Sequence, residues 1–575
     1  MIGMESERQQ KRFPTTLEEN LPAPMRDKTL LRADVYRPEG DGPFPVLLCR
    51  TPYDKGKHRE LGHRLAERGY LVVVQDCRGR YASDGAFRPG LFSAEHDDAE
   101  DGYDTVEWAA GLPASTGRVG TFGCSYDGWT QWELAHTRPP HLAAMMPVGI
   151  AANLLDRELS GVLRLGRVLA WTVNNLSVDT ARRLNDPWKP RTAQEADRLY
   201  LERDRLKWLW FLPLMDIPDD AMPGMGPHWR RWLEDHATDH FRFEEKHRQV
   251  NVPALSMTGW YDQQIGTIKQ FTGMVKNGRT EDARRNQRLI VGPWTHTLVN
   301  LGSRLGAVDF GPEACRDFYD IADAWFAHWL KEEPTEAVDW PPIQLFVMGA
   351  NQWRAEHEWP LARTVYTDFY LHSGGHASTA VGDGALSLKP PQEEPPDKYI
   401  YDPRDPVMTL YTPGGQHEPL DQRPLDGRRD ILVYVTPPLE EPLEVTGPIV
   451  VKLWAASSAR DTDFTAKLID VWPDGFVQEL CHGIVRARYR ESFERPSLIE
   501  PGRAYEYTLR VNPTSNLFRR GHRIRLDISS SDFPNFDRNH NTGGDDYREA
   551  NLTAAHQTLF HDAARPSRLI LPVIP

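Results

Sequence analysis

Gly123-Cys124-Ser125-Tyr126-Asp127-Gly128 sets a serine between glycines. Before it, Val119-Gly120-Thr121-Phe122 reads as a buried strand, and after it Trp129 to Ala135 reads as a helix. A serine on a sharp strand-to-helix turn is the nucleophile-elbow pattern. Glycine tolerates strained dihedrals and close approach. The serine oxygen is then held up at the strand end, and the N–H of Tyr126 points to where an oxyanion forms. The second glycine comes one residue later than in Gly-x-Ser-x-Gly, with Asp127 in its place, so the turn alone does not separate an elbow from an ordinary loop.

Two more reactive side chains follow strand-like runs further on. The run 252–258 ends in Gly259-Trp260-Tyr261-Asp262, and the run 288–291 ends in Gly292-Pro293-Trp294-Thr295-His296. The order Ser125, Asp262, His296 is the chain order of the α/β-hydrolases. Such a trio performs acyl transfer: histidine takes the serine proton, and aspartate orients the imidazole. Tyr53 lies in Arg50-Thr51-Pro52-Tyr53-Asp54-Lys55, just after the run 43–49. Ligand sites gather at the carboxyl ends of strands in open α/β sheets, so Tyr53 is a candidate oxyanion donor; a surface loop tyrosine is the alternative.

The elements that must position these groups alternate. Residues 14–50 read as two or more antiparallel strands, 58–68 as a helix, 70–76 as a buried strand, 92–110 as an amphipathic helix and 142–148 as another buried strand. The loop 77–85 reads as a structural loop fixed by arginine hydrogen bonds. The acidic run Glu95, Asp97, Asp98, Glu100, Asp101 reads as a solvated face favouring the helix N-terminus. His58 and His63, five apart, read as surface residues. Strand–helix alternation indicates a mostly parallel sheet. Residues 152–246 contain no convincing strand and carry Trp171, Trp188, Trp208, Trp210, Trp229 and Trp232, so a helical cap over the active face is expected, its tryptophans forming core or pocket walls. A helix is expected from about Thr267, and the helix 313–333 carries a core stripe of Phe318, Ile321, Trp325 and Trp329. From about 346, short strands separated by Pro and Gly turns run to the end, which indicates a β-sandwich, as in a jelly roll.

The expected fold class is therefore α/β: an α/β-hydrolase domain over 1–151 and 247–345, an inserted helical cap over 152–246, and a jelly-roll β-sandwich over 346–575. At 575 residues several cores are required. The net charge of −14 carries no basic tract, which argues against nucleic acid or an anionic membrane as partner. Five separated cysteines without Cys-x-x-Cys suggest neither a zinc site nor a disulfide framework. No signal-peptide core and no run of membrane-spanning length is present, so a cytoplasmic setting is expected. Neither a cofactor nor a metal is called for. The oligomeric state stays open, a homodimer included.

The chain also resembles the cocaine esterase (CocE/NonD) group of X-Pro dipeptidyl-peptidase-like hydrolases. The resemblance is carried by Thr51-Pro52-Tyr53-Asp54-Lys55, Gln75-Asp76-Cys77-Arg78-Gly79-Arg80, the serine motif, Gly259-Trp260-Tyr261-Asp262, Gly292-Pro293-Trp294-Thr295-His296, residues 455–464 and Ser529-Ser530-Ser531-Asp532-Phe533-Pro534. It accounts for the late glycine, since that group uses Gly-x-Ser-Tyr-x-Gly. It implies that Tyr53 shares the oxyanion hole with the Tyr126 N–H and that the substrate is a small-molecule ester. Relatives that act on α-amino acid esters carry carboxylates two and three residues after the triad aspartate. Here those positions are Gln264 and Ile265, and Asp156 or Glu158 in the cap supplies at most one carboxylate. Gln264 and Trp171 are the expected substrate-binding residues, around a neutral acyl group. Amide cleavage, as in an X-Pro dipeptidyl peptidase, β-lactam acylase or α-amino acid ester hydrolase, is the alternative enzyme reading. A carbohydrate-binding β-sandwich on an inactive hydrolase lobe is the non-enzyme one.

Overall fold

The computed structural model describes residues 12–90, 92–154, 161–185, 189–410 and 417–575. Trp188, Asp156 and Glu158 lie outside them. The first lobe is built on β1 (Thr15–Pro24), β2 (Leu30–Pro38), β3 (Phe44–Thr51), β4 (Leu71–Asp76), β5 (Ser115–Cys124), β6 (Leu142–Val148), β7 (Ala254–Gly259) and β8 (Gln287–Gly292). A two-residue hairpin, β9 (Arg304–Leu305) and β10 (Val308–Asp309), stands apart, and β11 (Ile343–Val347) and β12 (Gln352–Glu356) complete the main sheet. Its order is β1-β2-β4-β3-β5-β6-β7-β8-β11-β12. The strands from β4 to β11 in that order pair in parallel, while β1, β2 and β12 are antiparallel at the edges.

Parallel central strands are covered on both faces, so they read as continuous apolar runs. Every residue of β3, β4 and β7 is buried. Alternation then sends neighbours to opposite faces. Val46, Leu48 and Val73 face one core, with α2 (Asp98–Ala110), α3 (Tyr126–Ala135) and Met274 of the helix Thr267–Asn277. Leu47, Cys49, Val72 and Val74 face the other, against α1 (Arg59–Ala66) and the helix Phe318–Lys331.

Two expectations are corrected here. The helix expected over 92–110 starts only at Asp98, and Asp98 and Asp101 are buried rather than solvated, because Arg50 and Arg78 reach them. His58 is not a surface residue: its Nε2 is buried 3.3 Å from Asp127 Oδ2. The loop 77–85 is held as expected, with the fully buried Arg80 guanidinium donating to the carbonyls of Pro52, Leu176 and Asn175.

The insert 152–246 contains helices and no strand among its described residues. Trp208, Trp229 and Trp232 form its core, joined there by Phe533 and Tyr547 of the C-terminal region. That region contains β13 (Val365–His372), β14 (Ala385–Ser387), β15 (Asp397–Tyr401), β16 (Leu432–Val435), β17 (Leu443–Ser457), β18 (Asp463–Val471), β19 (Val477–Arg486), β20 (Tyr505–Phe518), β21 (Arg523–Ser529), β22 (Ala555–Phe560) and β23 (Arg568–Ile574). Pairing is antiparallel except for a single parallel contact between β14 and β16. Because β23 pairs with both β13 and β17, one continuous sheet closes on itself in a barrel-like form.

The boundary expected at 346 falls inside β11, and both β11 and β12 belong to the first sheet. The two lobes share a core: Trp260 and Tyr261, which precede Asp262, pack among the β-region's apolar residues. Tyr261 Oη accepts from Gln478 Nε2 at 3.0 Å, and Trp260 Nε1 donates to the Phe346 carbonyl at 2.7 Å. No helix among the described residues is long and apolar enough to cross a membrane.

A chain truncated after Glu356 strips this cover from Trp260 and Tyr261 and exposes apolar surface beside Asp262. We expect insoluble or inactive protein, measured as soluble yield and ester turnover. A soluble, active fragment would contradict the shared core.

Candidate active site

Ser125 links β5 to α3 with φ 63° and ψ −122°, a left-handed backbone that costs energy for any residue but glycine. Three backbone bonds hold it there. Its N–H donates to the Val148 carbonyl at 2.9 Å, and its carbonyl accepts from Gly128 and Trp129 at 2.9 and 2.8 Å. The late glycine has a steric reason: a Cβ on Gly128 would stand 3.0 Å from the Val148 carbonyl and 3.2 Å from Ile150 Cγ2. Tyr126 is the first residue of α3, so its N–H has no carbonyl to reach within the helix. Its ring is anchored elsewhere, with the hydroxyl donating to Asp98 Oδ2 at 3.1 Å and accepting from the Gly90 N–H at 3.2 Å.

Asp262 and His296 arrive from the ends of β7 and β8, which run side by side and in register from Ala254↔Gln287 to Gly259↔Gly292. His296 Nδ1 lies 2.9 and 3.0 Å from the two Asp262 carboxylate oxygens. An ionised carboxylate only accepts, so Nδ1 carries the proton and Nε2 keeps its lone pair. That Nε2 is buried and makes no hydrogen bond, in the cavity that Ser125 also lines. Burial alone would raise the Asp262 carboxyl. The His296 charge and bond, the Gln264 N–H at 2.8 Å and the Arg167 charge outweigh it and hold the group below the usual carboxylate range.

Tyr53 stands on the loop after β3. The buried Asp76 carboxylate ties that loop to the loop 77–85, accepting from the Lys55 N–H at 2.9 Å and the Ala82 N–H at 3.2 Å. Trp171, on the cap helix Leu165–Trp171, donates its Nε1–H to Tyr53 Oη at 2.9 Å. An indole only donates, so the tyrosine's own proton remains for another acceptor. Burial drives the phenol well above its ordinary value, with hydrogen bonds from Trp171 and Ser125 only partly offsetting it, so Tyr53 is a neutral donor at working pH.

The cavity over these groups has a volume of about 540 Å³ and is lined by Tyr53, Ser125, Arg167, Trp171, His296 and Pro534, among others. Thus Ser125, His296, Tyr53 and Trp171 meet at one place, with Asp262 behind the histidine. Gln264 does not reach it. That side chain is buried, and its Oε1 accepts from the Ala151 N–H at 3.2 Å, so it braces the strand end below the site; only its backbone N–H serves, on Asp262. The polar acyl contact expected from Gln264 is absent.

Two contributions were missed. Pro534 brings the β-region to the cavity, and its carbonyl accepts from the Gly166 N–H at 2.7 Å. Gly149, just past β6, has φ 54°, and a Cβ there would meet Asp262 Oδ2 at 2.8 Å and His296 Nδ1 at 3.0 Å. A glycine following the strand next to the serine strand is the one signal that sequence offered for it.

Chemically, the arrangement holds a serine hydroxyl, an imidazole lone pair, an oriented carboxylate and two N–H or O–H donors around one cavity. That set suits attack on an acyl carbonyl.

Comparison with known proteins agrees with this chemistry. Residues 27–298 match the family model described as X-Pro dipeptidyl-peptidase (S15 family), and residues 336–570 match that of the X-Pro dipeptidyl-peptidase C-terminal non-catalytic domain. A cocaine esterase of Rhodococcus sp. (strain MB1 Bresler) is 37% identical over 584 aligned residues, covering 96% of this chain and 98% of the relative. Among solved structures, an α-amino acid ester hydrolase is 27% identical with a TM-score of 0.83, over 97% of this chain and 96% of its own. An aminopeptidase from a marine sediment archaeon, Thaumarchaeota archaeon, is 26% identical with a TM-score of 0.82, over 98% and 97%.

Gly149→Ala should press on the Asp262–His296 pair, at the face of the imidazole turned to Asp262. Misplacing a catalytic group by a fraction of an ångström to 1 Å costs up to about 10²-fold, so kcat should fall by roughly 10–10²-fold with KM little changed. Unchanged steady-state kinetics in a folded variant would show that this glycine does not position the pair.

Proposed function

The chain belongs to the X-Pro dipeptidyl-peptidase (S15) family, in its cocaine-esterase-like group, and from that premise we propose that it hydrolyses small carboxylic esters through an acyl-enzyme on Ser125. The observation that carries this reading is the buried, unpartnered Nε2 of His296, whose other nitrogen is locked on Asp262, in the cavity that holds Ser125.

In this mechanism His296 Nε2 takes the Ser125 proton as the oxygen attacks the acyl carbonyl. Asp262 stabilises the imidazolium that results. The Tyr53 hydroxyl and the Tyr126 N–H hold the oxyanion, and the Trp171 N–H keeps Tyr53 turned for donation. His296 then protonates the leaving alcohol, and water releases the acid by the reverse steps. The C-terminal region, which we read as a jelly roll, supports the Asp262 loop and closes one wall of the cavity through Pro534. We place the reaction in the cytoplasm.

The acyl group is uncharged in this reading. Positions 264 and 265 carry no carboxylate. The Arg167 charge acts on Tyr53, Cys124 and Asp262, so it stands close to the reacting centre. A protonated α-amine would meet that cation, and a desolvated ammonium needs a paired anion. A second reading, α-amino acid esters, draws on the presence of Asp127 and Asp197 in the cavity lining.

The test compares kcat/KM for the methyl esters of phenylacetate and phenylglycine, at a pH where the amine is protonated, and for the matching anilides. Phenylacetate ester should be the best substrate, and Ser125→Ala should abolish turnover in a folded protein. A tenfold preference for the phenylglycine ester, or for the anilides, would move the protein to the second reading or to amide cleavage. Turnover retained in Ser125→Ala would remove the serine from the mechanism.

A further inference from the structure

Ester hydrolysis leaves unused a second group of side chains beside the cavity: Cys49 on β3, buried behind the lining, and His58 just before α1 and Asp127 in the first turn of α3, which line it. One ligand atom from each lies within 4.8 Å of the others. His58 Nε2 is 3.3 Å and Cys49 Sγ 3.7 Å from Asp127 Oδ2. The histidine contact is not a hydrogen bond, because Nε2 is buried without a hydrogen-bond partner; Asp127 Oδ1 is buried and unpartnered too. Closeness without alignment is what two ligands aimed at a common third point produce. A tetrahedral zinc ion, with bonds of about 2.0 Å to N and O and about 2.3 Å to S, sets its N···O edge at about 3.3 Å and its S···O edge at about 3.5 Å. The observed separations are within a few tenths of an ångström of those edges.

Access is also built in. Cys49 and Asp127 are 1% and 3% exposed, yet His58 and Asp127 line the same cavity as Ser125. An ion entering there would take three protein ligands and keep one position open toward the cavity. The donor set, one thiolate, one imidazole and one carboxylate, suits zinc and its neighbours rather than magnesium or calcium. Of the two further histidine clusters among the described residues, His417/Glu479/His482 and His540/Asp546/Glu549, the first differs in charge. Glu479 Oε1 accepts from His417 and His482 at 3.1 and 3.0 Å, with the Lys467 ammonium 3.6 Å from its second oxygen, so that cluster already has its cation.

We propose that Cys49, His58 and Asp127 form a binding site for a zinc-class divalent cation, filled from the substrate cavity, and that its filling switches off ester hydrolysis. Without the ion the Cys49 thiol donates its proton to Asp127. Binding replaces that proton: Cys49–SH and the cation give the metal thiolate and one proton released to solvent. Inhibition follows from place. Asp127 lies in the turn that sets the Tyr126 N–H, and it and His58 line the cavity that the acyl group enters.

The test is a cobalt(II) titration of the full-length, chelator-treated protein, followed by absorption. It reads the site independently of any activity, so its failure is distinct from failure of the esterase reading. We expect a thiolate-to-cobalt charge-transfer band with tetrahedral visible bands, saturating at one ion per chain and displaced by zinc. The band should be lost in Cys49→Ser and in His58→Gln, but kept in Cys124→Ala, which removes the thiol that lines the cavity itself. Zinc should inhibit hydrolysis reversibly, relieved by chelator. Cys49→Ser should keep hydrolysis while needing about 10²-fold more zinc for half inhibition. No band in the native protein, a band that survives Cys49→Ser or His58→Gln, or a band lost in Cys124→Ala would overturn the proposal. So would zinc inhibition undiminished in Cys49→Ser.

Discussion

A carboxylate buried as deeply as Asp262 is tolerable only if paired, because an unpaired charge taken out of water costs several kcal/mol. Two groups and one gap accommodate it, beside the Thr258 hydroxyl at 3.4 Å. His296 comes from the neighbouring parallel strand, the Gln264 N–H from the same loop, and Gly149 leaves the space in which the pair can lie flat. The parallel register of β7 and β8 delivers both residues to the same edge of the sheet. The histidine's tautomer, and hence its free lone pair toward Ser125, follows from this pairing.

The remaining layers keep that geometry dry and fixed. The strained Ser125 backbone persists because β5 and β6 and the start of α3 over-determine it. Arg80 ties the carbonyl before Tyr53 to the cap, and Trp171 ties the Tyr53 hydroxyl to the same cap. The β-region reaches in twice, through the core around Trp260 and Tyr261 and through Pro534 at the cavity. In the proposed reaction the oxyanion donors sit on two segments, one in the sheet lobe and one braced by the cap, so the active geometry would depend on all three parts of the chain being in place.

Ser125, Asp262 and His296 were legible in the sequence because each sits immediately past an apolar run, and strand ends are where an α/β sheet presents its chemistry. Tyr53 was legible for the same reason. What escaped depends on directions and contacts that spacing does not encode. Gln264 was expected in the pocket from its distance to Asp262 in the chain, but the turn aims its side chain back at Ala151. His58 read as surface because its contact with Asp127 is remote in sequence. The acidic run at 95–101 read as solvated, whereas Asp98 and Asp101 pair with the buried Arg50 and Asp101 also with the half-buried Arg78. The boundary at 346 was misplaced because β11 and β12 look like β-region strands, short and turn-bounded, although they finish the first sheet.

The most direct measurement is rapid-quench peptide mass spectrometry during turnover of p-nitrophenyl acetate. A transient acetyl group should appear on the peptide that contains Ser125, formed with the burst of nitrophenol and decaying with the steady-state rate. Turnover without an acyl group on that serine, or with the label on another residue, would contradict it.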